Sequence, residues 1–514
     1  MDRRSIYLIN PKADHPPYFG AEVCAAHGSA PVAFIADLAI TTVAALVPND
    51  FLVKLCDAQV GDVDLDFSGA YVGITGKSSQ VGHMVELANA FRQRGRTVIF
   101  GGPHASLAAD ELRPYCDILV RGEIETIAPQ LFADLARGSW RDVYEGNRPP
   151  LDEPPRPRWA AYPNHRALQG CVQTSRGCPF ACDFCDVIQY VGRRVRHKPV
   201  DSVLAELDAL YETGYRTVFL ADDNLTAHRR RARELLAAIA AWNENRPAGR
   251  MFFNTQVSID AADDADLLDL CGQAGINEVF VGIETPNEDG LAASGKRQNV
   301  GRDALERLVN FARHGIGVMG GMIVGFDADG PDIFERQADF AARSAVPIFS
   351  LGALVAPNAT PLRARIKAEG RLLPLAGVGA AMAPWRTNIV PARISNRALS
   401  RGIRWLANRL YDPDAFADRL LRAIALLPKR SVHAVDRTSA PPRAVERAAV
   451  NVVRSMPSLG PRESVAFDRI VRAAASNGVA KRHAMSSVFR YMQVRHMYQN
   501  GGFWGPDGGR LAES

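Results

Sequence analysis

The chain has 514 residues, with 61 basic and 56 acidic side chains and a formal net charge of +5. At roughly 150 residues per domain that length predicts about three domains. With 47% hydrophobic and 23% charged residues, global disorder, collagen and coiled coil are excluded, and no stretch reaches the roughly 18 uninterrupted apolar residues of a membrane span. The start, MDRRSIYLINPK, turns from basic to apolar, but its apolar run is shorter than the ~7–15 residues of a signal-peptide core. We therefore expect a cytoplasmic protein. The small basic excess is spread along the chain and does not point to nucleic acid. Eight cysteines are too sparse for a disulfide scaffold, and closely spaced cysteines in a cytosolic chain suggest metal ligands or catalytic groups.

Residues 1–143 alternate two patterns. Segments 5–9, 51–57, 70–76, 97–102 and 117–123 read as strands. Segments 36–48, 85–95 and 124–138 read as amphipathic helices, the first ending at Pro48 and the second at Gly95. Strands separated by helices of this length imply βαβ units and a parallel, Rossmann-like sheet. In such sheets the ligand lies beyond the carboxyl ends of the strands. Those ends carry Gly73, Thr75 and Gly76, then Gly101, Gly102 and His104, then Gly122 and Glu123. The stretch 73–78 has two residues between its glycines where a phosphate-binding P-loop needs four, so it is not read as one. His104 is open to two readings, a hydrogen-bonding loop residue or a cofactor contact.

Residues 144–170 are dense in proline and read as a linker. Residues 171–384 alternate again, with strands expected at 171–175, 217–222, 252–258, 278–284, 318–326 and 349–355 and helices at 200–214 and 229–244. Six strand–helix units suggest a partial (β/α)6 barrel, in which chemistry collects at the carboxyl ends of strands. Residues 385–514 are Arg-rich and helical by pattern. Three readings of this tail stay open: a cap packed on the barrel with a solvated basic face, a cover over the active site, or a membrane-surface element. The glycine-rich end, from 500 onward, is expected to be poorly ordered.

Cys178-Pro-Phe-Ala-Cys182-Asp-Phe-Cys185 is a C-x3-C-x2-C loop. Three thiolates on one loop can hold soft metal, whereas a structural zinc or ordinary iron–sulfur site takes four protein ligands. Cys171 is the nearest fourth candidate. As the first residue of an expected strand it would sit on the order of 20 Å from the loop at ~3.3 Å per residue. We therefore expect a [4Fe–4S] cluster with one open iron, shielded by Phe184. A zinc knuckle is the competing reading.

This loop, with an aromatic residue before its last cysteine, resembles the signature of the radical S-adenosylmethionine superfamily. The resemblance implies that Cys178, Cys182 and Cys185 ligate the cluster and that its open iron chelates S-adenosylmethionine. It further implies contacts to that cofactor from Asp222, Asp223 and Asn224, from Gln256 and Ser258, from Glu284, and from the glycine-rich strand with Gly321 and Gly325. The acidic 222–223 pair departs from the family's Gly-Gly-Glu, and Asp223 could instead cap a helix beginning near Thr226. The order of parts, with the phrases GITGK, FGGPHAS, ILVRGEIE, QTSRGCPF, FLADDN and GIETPNE, resembles the cobalamin-binding subclass typified by the hopanoid 2-methylase. That implies cobalamin against the strand ends of the first domain. The Asp-x-His-x-x-Gly motif of histidine-ligating cobalamin domains is absent: Gln59 stands at the histidine and Asp62 at the glycine.

The resemblance implies a C-methyltransferase acting on an unactivated carbon of a small molecule or lipid. One S-adenosylmethionine would methylate cobalamin, and a second would supply a deoxyadenosyl radical. An electron donor such as flavodoxin or ferredoxin would be needed. Tyr190, Arg193, Arg194 and Arg196 are candidates for the substrate side. Two alternatives stay open: radical transfer of a 3-amino-3-carboxypropyl group without functional cobalamin, and a non-enzymatic cobalamin or redox sensor.

Overall fold

The computed structural model describes residues 2–374, 383–428 and 441–505, except Phe19, Ala21, Asn245 and Ser476. The strands of its first part are β1 (Asp2–Asn10), β2 (Ala33–Ile35), β3 (Leu52–Asp57), β4 (Gly69–Thr75), β5 (Thr97–Gly101), β6 (Ile118–Arg121) and β7 (Val143–Glu145). Six of them form one parallel sheet in the order β3-β1-β4-β5-β6-β7. Its central strands are apolar almost without interruption, as strands covered on both faces must be. Ile6, Tyr7, Leu8 and Ile9 of β1 are all buried, as are Val98, Ile99 and Phe100 of β5.

The second set is β8 (Ala167–Val172), β9 (Ser175–Arg176), β10 (Arg196–His197), β11 (Thr217–Leu220), β12 (Phe252–Val257), β13 (Ile276–Glu284), β14 (Gly317–Val324) and β15 (Ile348–Ala353). A curled parallel sheet runs β15-β14-β13-β12-β11-β8-β2. It is the expected six-stranded open barrel with one addition. The seventh strand, β2, comes from the amino-terminal part, and its Ala33 and Ile35 pair with Ala167 and Gln169. The short β9 and β10 pair antiparallel, Arg196 opposite Arg176, and bracket the cysteine loop.

The strand expected at 171–175 runs instead over Ala167–Val172. Gln169 and Gly170 interrupt its apolar run and hid its first half. Gly170 is required there, because a Cβ would stand 2.9 Å from Leu210. Cys171 therefore lies near the carboxyl end of the first barrel strand, and the argument that strand length separates it from the loop does not hold.

The proline-rich segment is strapped to the first sheet. Tyr162 Oη donates to Asp57 Oδ2 at 2.6 Å, and the Arg158 amide donates to the Thr41 carbonyl at 3.0 Å.

The basic tail is a core element. Helix Asn396–Leu410 is capped by Ser395, which accepts from the Ala398 amide at 3.1 Å, and Asp412 caps helix Pro413–Leu426 in the same way. The last helix, Gly478–Asn500, touches both edges of the open barrel. At one edge Phe489 stacks on Phe34 of β2 with centroids 6.2 Å apart. At the other, Tyr498 Oη meets Tyr18 Oη at 2.7 Å, and Tyr18 Oη accepts from the Leu351 amide of β15 at 3.0 Å. Arg490, 4% exposed, lies over the Phe34 ring and bonds Glu278 Oε1 at 3.1 Å. Helix Asn396–Leu410 is the expected cap with a solvated basic face, with Leu399, Ile403 and Leu406 buried and Arg397, Arg401 and Arg404 exposed, whereas the polar groups of the last helix are turned inward, where buried polar groups must find partners. Of the glycine-rich end, Phe503 packs on Trp385; residues 506–514 lie outside the described residues. No helix among the described residues is long and apolar enough to cross a membrane.

Candidate active site

The cysteine loop leaves β9 through Gly177, whose φ of 108° is left-handed and open to glycine far more readily than to other residues. A Cβ there would stand 2.6 Å from the Arg194 carbonyl. The Gly177 amide donates to Asp223 Oδ2 at 2.9 Å, and the Cys178 amide donates to the Gly192 carbonyl at 3.3 Å. Cys182 is buried, and Cys178 and Cys185 are partly so. Burial pushes all three thiols up, so iron binding must displace their protons.

Among the described residues no three His, Cys, Asp or Glu side chains converge as they would on a single metal ion. A cubane does not ask for that convergence, since each thiolate ligates its own iron of the cluster. Three thiols on one short loop held from both sides fit such a cluster. Cys171 stands apart, buried in β8 with its thiol pushed up to about 12 by that burial.

A second turn clamps the loop from below. The Asp183 amide donates to the Ser294 carbonyl at 3.0 Å, and a Cβ on Gly295 would lie 2.8 Å from the Ala181 carbonyl. Gln298 Nε2 lies 3.9 Å from Cys182 Sγ. Lys296 Nζ bonds Glu284 Oε1 at 2.6 Å. Glu284 itself has φ 67°, a left-handed conformation that costs a non-glycine residue on the order of 1–3 kcal/mol. Sequence reasoning missed residues 294–298, because nothing in Ser-Gly-Lys-Arg-Gln marks proximity to a loop more than a hundred positions earlier.

The other expected contacts separate by role. Asp222 is fully buried, accepts from Thr174 Oγ1 at 2.9 Å and Ser175 Oγ at 2.6 Å, and burial raises its pKa to about 6. Its carboxylate is turned to the β8–β9 connection. Asp223 caps no helix: it holds Gly177, and the following helix begins at Arg229, capped by His228. Asn224 and Ser258 bond each other, Nδ2 to Oγ, at 2.8 Å. Gln256 is half-buried at the carboxyl end of β12. A Cβ on Gly321 would lie 2.9 Å from Phe280, and Gly325 has φ 106°. Phe184 packs edge-on against Phe326 at 6.0 Å.

A cavity of about 600 Å³ lies between the carboxyl ends of the first sheet and the mouth of the barrel. Gly73, Thr75, Gly101, Gly102, Gly122 and Glu123 line one side; Cys171, Gln173, Arg176, Tyr190 and Phe219 line the other. Its glycines do different things. A Cβ on Gly73 would strike Leu8 at 2.8 Å, on Gly76 Met84 at 2.4 Å, on Gly102 Thr75 at 2.4 Å, and on Gly122 the Gly146 carbonyl at 2.2 Å. Gly102 and Gly122 are held by their left-handed backbone as well, whereas Gly73 and Gly76 are packed under the side chains of Leu8 and Met84. Gly101 is neither: its nearest neighbour would be 3.9 Å away, so a Cβ there would meet no clash. Gly76 and His104 are absent from the wall. His104 is buried beside Glu111, Nε2 to Oε2 at 3.7 Å. Gln59 is on the wall, and no histidine is among the described residues that line the cavity.

Glu123 also joins the two parts. It pairs with Arg176 at 2.6 Å and with Arg196, while Arg176 reaches Glu125 at 2.7 Å. Burial alone would push the Glu123 carboxyl up, but bonds from Arg196 and Arg176 hold it below the usual range. Of the four residues expected on the substrate side, Tyr190 lines the cavity and Arg196 serves this ion-pair network. Arg193 bonds the Pro179 carbonyl at 2.9 Å, and Arg194 is exposed.

Comparison with known proteins agrees with this geometry. The family profile described as the radical SAM superfamily matches residues 172–341, and one described as a domain of unknown function (DUF4070) matches residues 360–498. The chain is 33% identical over 403 residues to an uncharacterized methyltransferase of Synechocystis, sll1242, covering 76% of this chain and 73% of the relative. It is 30% identical to the hopanoid C-2 methylase of Rhodopseudomonas palustris, with 66% of each chain covered. Among solved structures, the methyltransferase TsrM of Kitasatospora setae, with cobalamin and a [4Fe–4S] cluster bound, superposes with a TM-score of 0.59 at 20% identity, covering 78% of this chain and 85% of that one. The cobalamin-dependent radical enzyme OxsB superposes with 0.60 at 14% identity, covering 97% and 80%.

Proposed function

Because this chain belongs to the radical S-adenosylmethionine superfamily, in its cobalamin-binding methylase subclass, we propose that it is a cobalamin-dependent C-methyltransferase acting on a small molecule or lipid. One observation carries the reading. The cysteine loop begins and ends at the cavity, since Arg176, two positions before Cys178, and Tyr190, five positions after Cys185, both line it. A one-electron cleavage centre and a methyl carrier have to meet across such a cavity.

Cys178, Cys182 and Cys185 would hold the cluster. Thr75, Gly101 and Glu123 would face cobalamin, with Gln59 where other domains of this kind place histidine. Gln256, Ser258 and Glu284, at the carboxyl ends of successive barrel strands, and Gly321 within the next strand would face S-adenosylmethionine. When bound, the cluster supplies the electron that cleaves S-adenosylmethionine and cobalamin supplies the methyl group. The chain's own work is to orient these groups and to exclude water. Burial around Cys182 serves that end.

The relatives are named for hopanoids and for bacteriochlorophyllide d, both extended and largely apolar ring systems. We read this chain's substrate as one presenting a saturated carbon that no ordinary nucleophile can activate. A flavodoxin- or ferredoxin-type donor would supply the electron. The 3-amino-3-carboxypropyl alternative rests on Gln59 and Asp62 in place of the cobalt-ligating motif, and of these Gln59 stands on the wall of the cavity. Anaerobic reconstitution with iron, sulfide and hydroxocobalamin tests the proposal. It expects a [4Fe–4S] absorption and resonance signature together with one tightly held cobalamin per chain; a chain that holds the cluster but no cobalamin would refute the methylase reading.

A further inference from the structure

Lys296 has no part in the roles assigned above, yet its position is over-determined. Its backbone amide donates to the Leu291 carbonyl at 2.9 Å. The flanking Gly295 is pressed on the Ala181 carbonyl, and Gln298 reaches Cys182. Its ammonium is held by Glu284, and both heads fill the space above Gly282: a Cβ there would meet Glu284 Oε1 at 2.3 Å and Lys296 Nζ at 2.8 Å. Glu284 has left-handed backbone, φ 67°, at this contact. The Lys296 charge acts on the thiols of Cys178, Cys182 and Cys185. A left-handed acid and a clamped turn thus place one largely buried cation beside the cysteine loop. A simple ion pair would need none of that.

We infer that Lys296, oriented by Glu284, is a positioning residue for the cluster that makes its reduction easier by holding a fixed positive charge beside the cysteine loop. The inference rests on the cluster assigned to the three cysteines. Reduction adds one electron to a group already made anionic by three thiolates. In a partly dry site an adjacent cation stabilises the extra charge more than it would in water. Glu284 works against that effect electrostatically while holding the ammonium in place, so the two side chains should move the potential in opposite directions. A purely structural role would not split them in that way.

The test is a redox titration of the reconstituted cluster in the full-length chain without S-adenosylmethionine, followed by electron paramagnetic resonance. Iron and sulfide content give the cluster its own readout. Lys296→Met should lower the reduced-to-oxidised ratio at a fixed poise by about tenfold, a shift of about 59 mV to more negative potential for a one-electron couple. Lys296→Arg should stay close to the parent, and Glu284→Gln should shift the other way. A full cluster whose potential is unmoved in Lys296→Met overturns the inference. If Lys296→Met fails to retain iron, Glu284→Gln decides: a potential equal to or below the parent's overturns it. A parent chain that binds no cluster would instead refute the cysteine assignment, a separate outcome read from iron content alone.

Discussion

Glu123, at the end of the first sheet, and Arg176, two positions before the first loop cysteine, form an ion pair of 2.6 Å across the cavity. The pair ties the strand that launches the cysteine loop to the domain assigned to cobalamin. Glu123 is 3% exposed, so Glu123→Gln leaves two guanidinium groups short of charge and should cost about 3 kcal/mol. Folding favours the ionised carboxylate, whose value is held below its ordinary 4.5. Its contribution is therefore present above pH 4.5 and lost as the pH falls through the folded value. Thermal unfolding should show a gap between parent and Glu123→Gln at neutral pH that closes in acid. A gap that persists unchanged in acid would mean the carboxylate's charge is not what matters.

The cysteines make a second prediction. Cys178→Ala, Cys182→Ala and Cys185→Ala should each abolish the cluster, measured as iron per chain after anaerobic reconstitution. Cys171→Ala should retain it, because that thiol belongs to the cavity wall and not to the loop. Iron lost on removing Cys171 would make it a fourth ligand and close the open position.

Gly101 and Gly102 should part company. A Cβ at Gly101 would meet Val120 only at 3.9 Å, so Gly101→Ala should fold normally but weaken cobalamin binding about tenfold, or ~1.4 kcal/mol, read by absorbance titration. Gly102→Ala must take φ 90° and strike Thr75. It should lose stability on the order of 1–3 kcal/mol, seen as a lower unfolding midpoint. Equal behaviour of the two would remove the argument that Gly101 opens onto a ligand.

The buried tail makes the fourth. Arg490→Met strands Glu278 inside the barrel and should destabilise by about 3–5 kcal/mol. The double variant Glu278→Gln/Arg490→Met should recover much of that loss, measured by chemical denaturation. An exposed basic cap would show neither effect.

Much of the architecture was legible because its signals are local. Apolar runs such as Val98–Ile99–Phe100, bounded by glycines, marked parallel strands, and C-x3-C-x2-C marked the loop. What stayed hidden depends on distant pairings. β2 is three residues long and reads as part of a loop until Ala167 pairs with it. Helix Gly478–Asn500 is rich in Arg, His and Gln, a composition that suggests a surface, yet its polar groups find Glu278, Gly315 and Gly20 across the barrel. Lys296 was invisible for the same reason: the turn that carries it meets the cysteine loop only in the fold, through Ser294, Gly295 and Gln298. The glycines were legible as special positions, but only their neighbours show that Gly73, Gly76, Gly102 and Gly122 answer to packing while Gly101 is free to answer to a ligand.

The most direct test follows the fate of S-adenosylmethionine by mass spectrometry in the reduced, reconstituted protein, with and without added cobalamin. The methylase account predicts 5′-deoxyadenosine from the cluster, with S-adenosylhomocysteine appearing when cobalamin is supplied. 5′-Methylthioadenosine in their place would contradict it, because the bond broken would then be the one that releases an aminocarboxypropyl group.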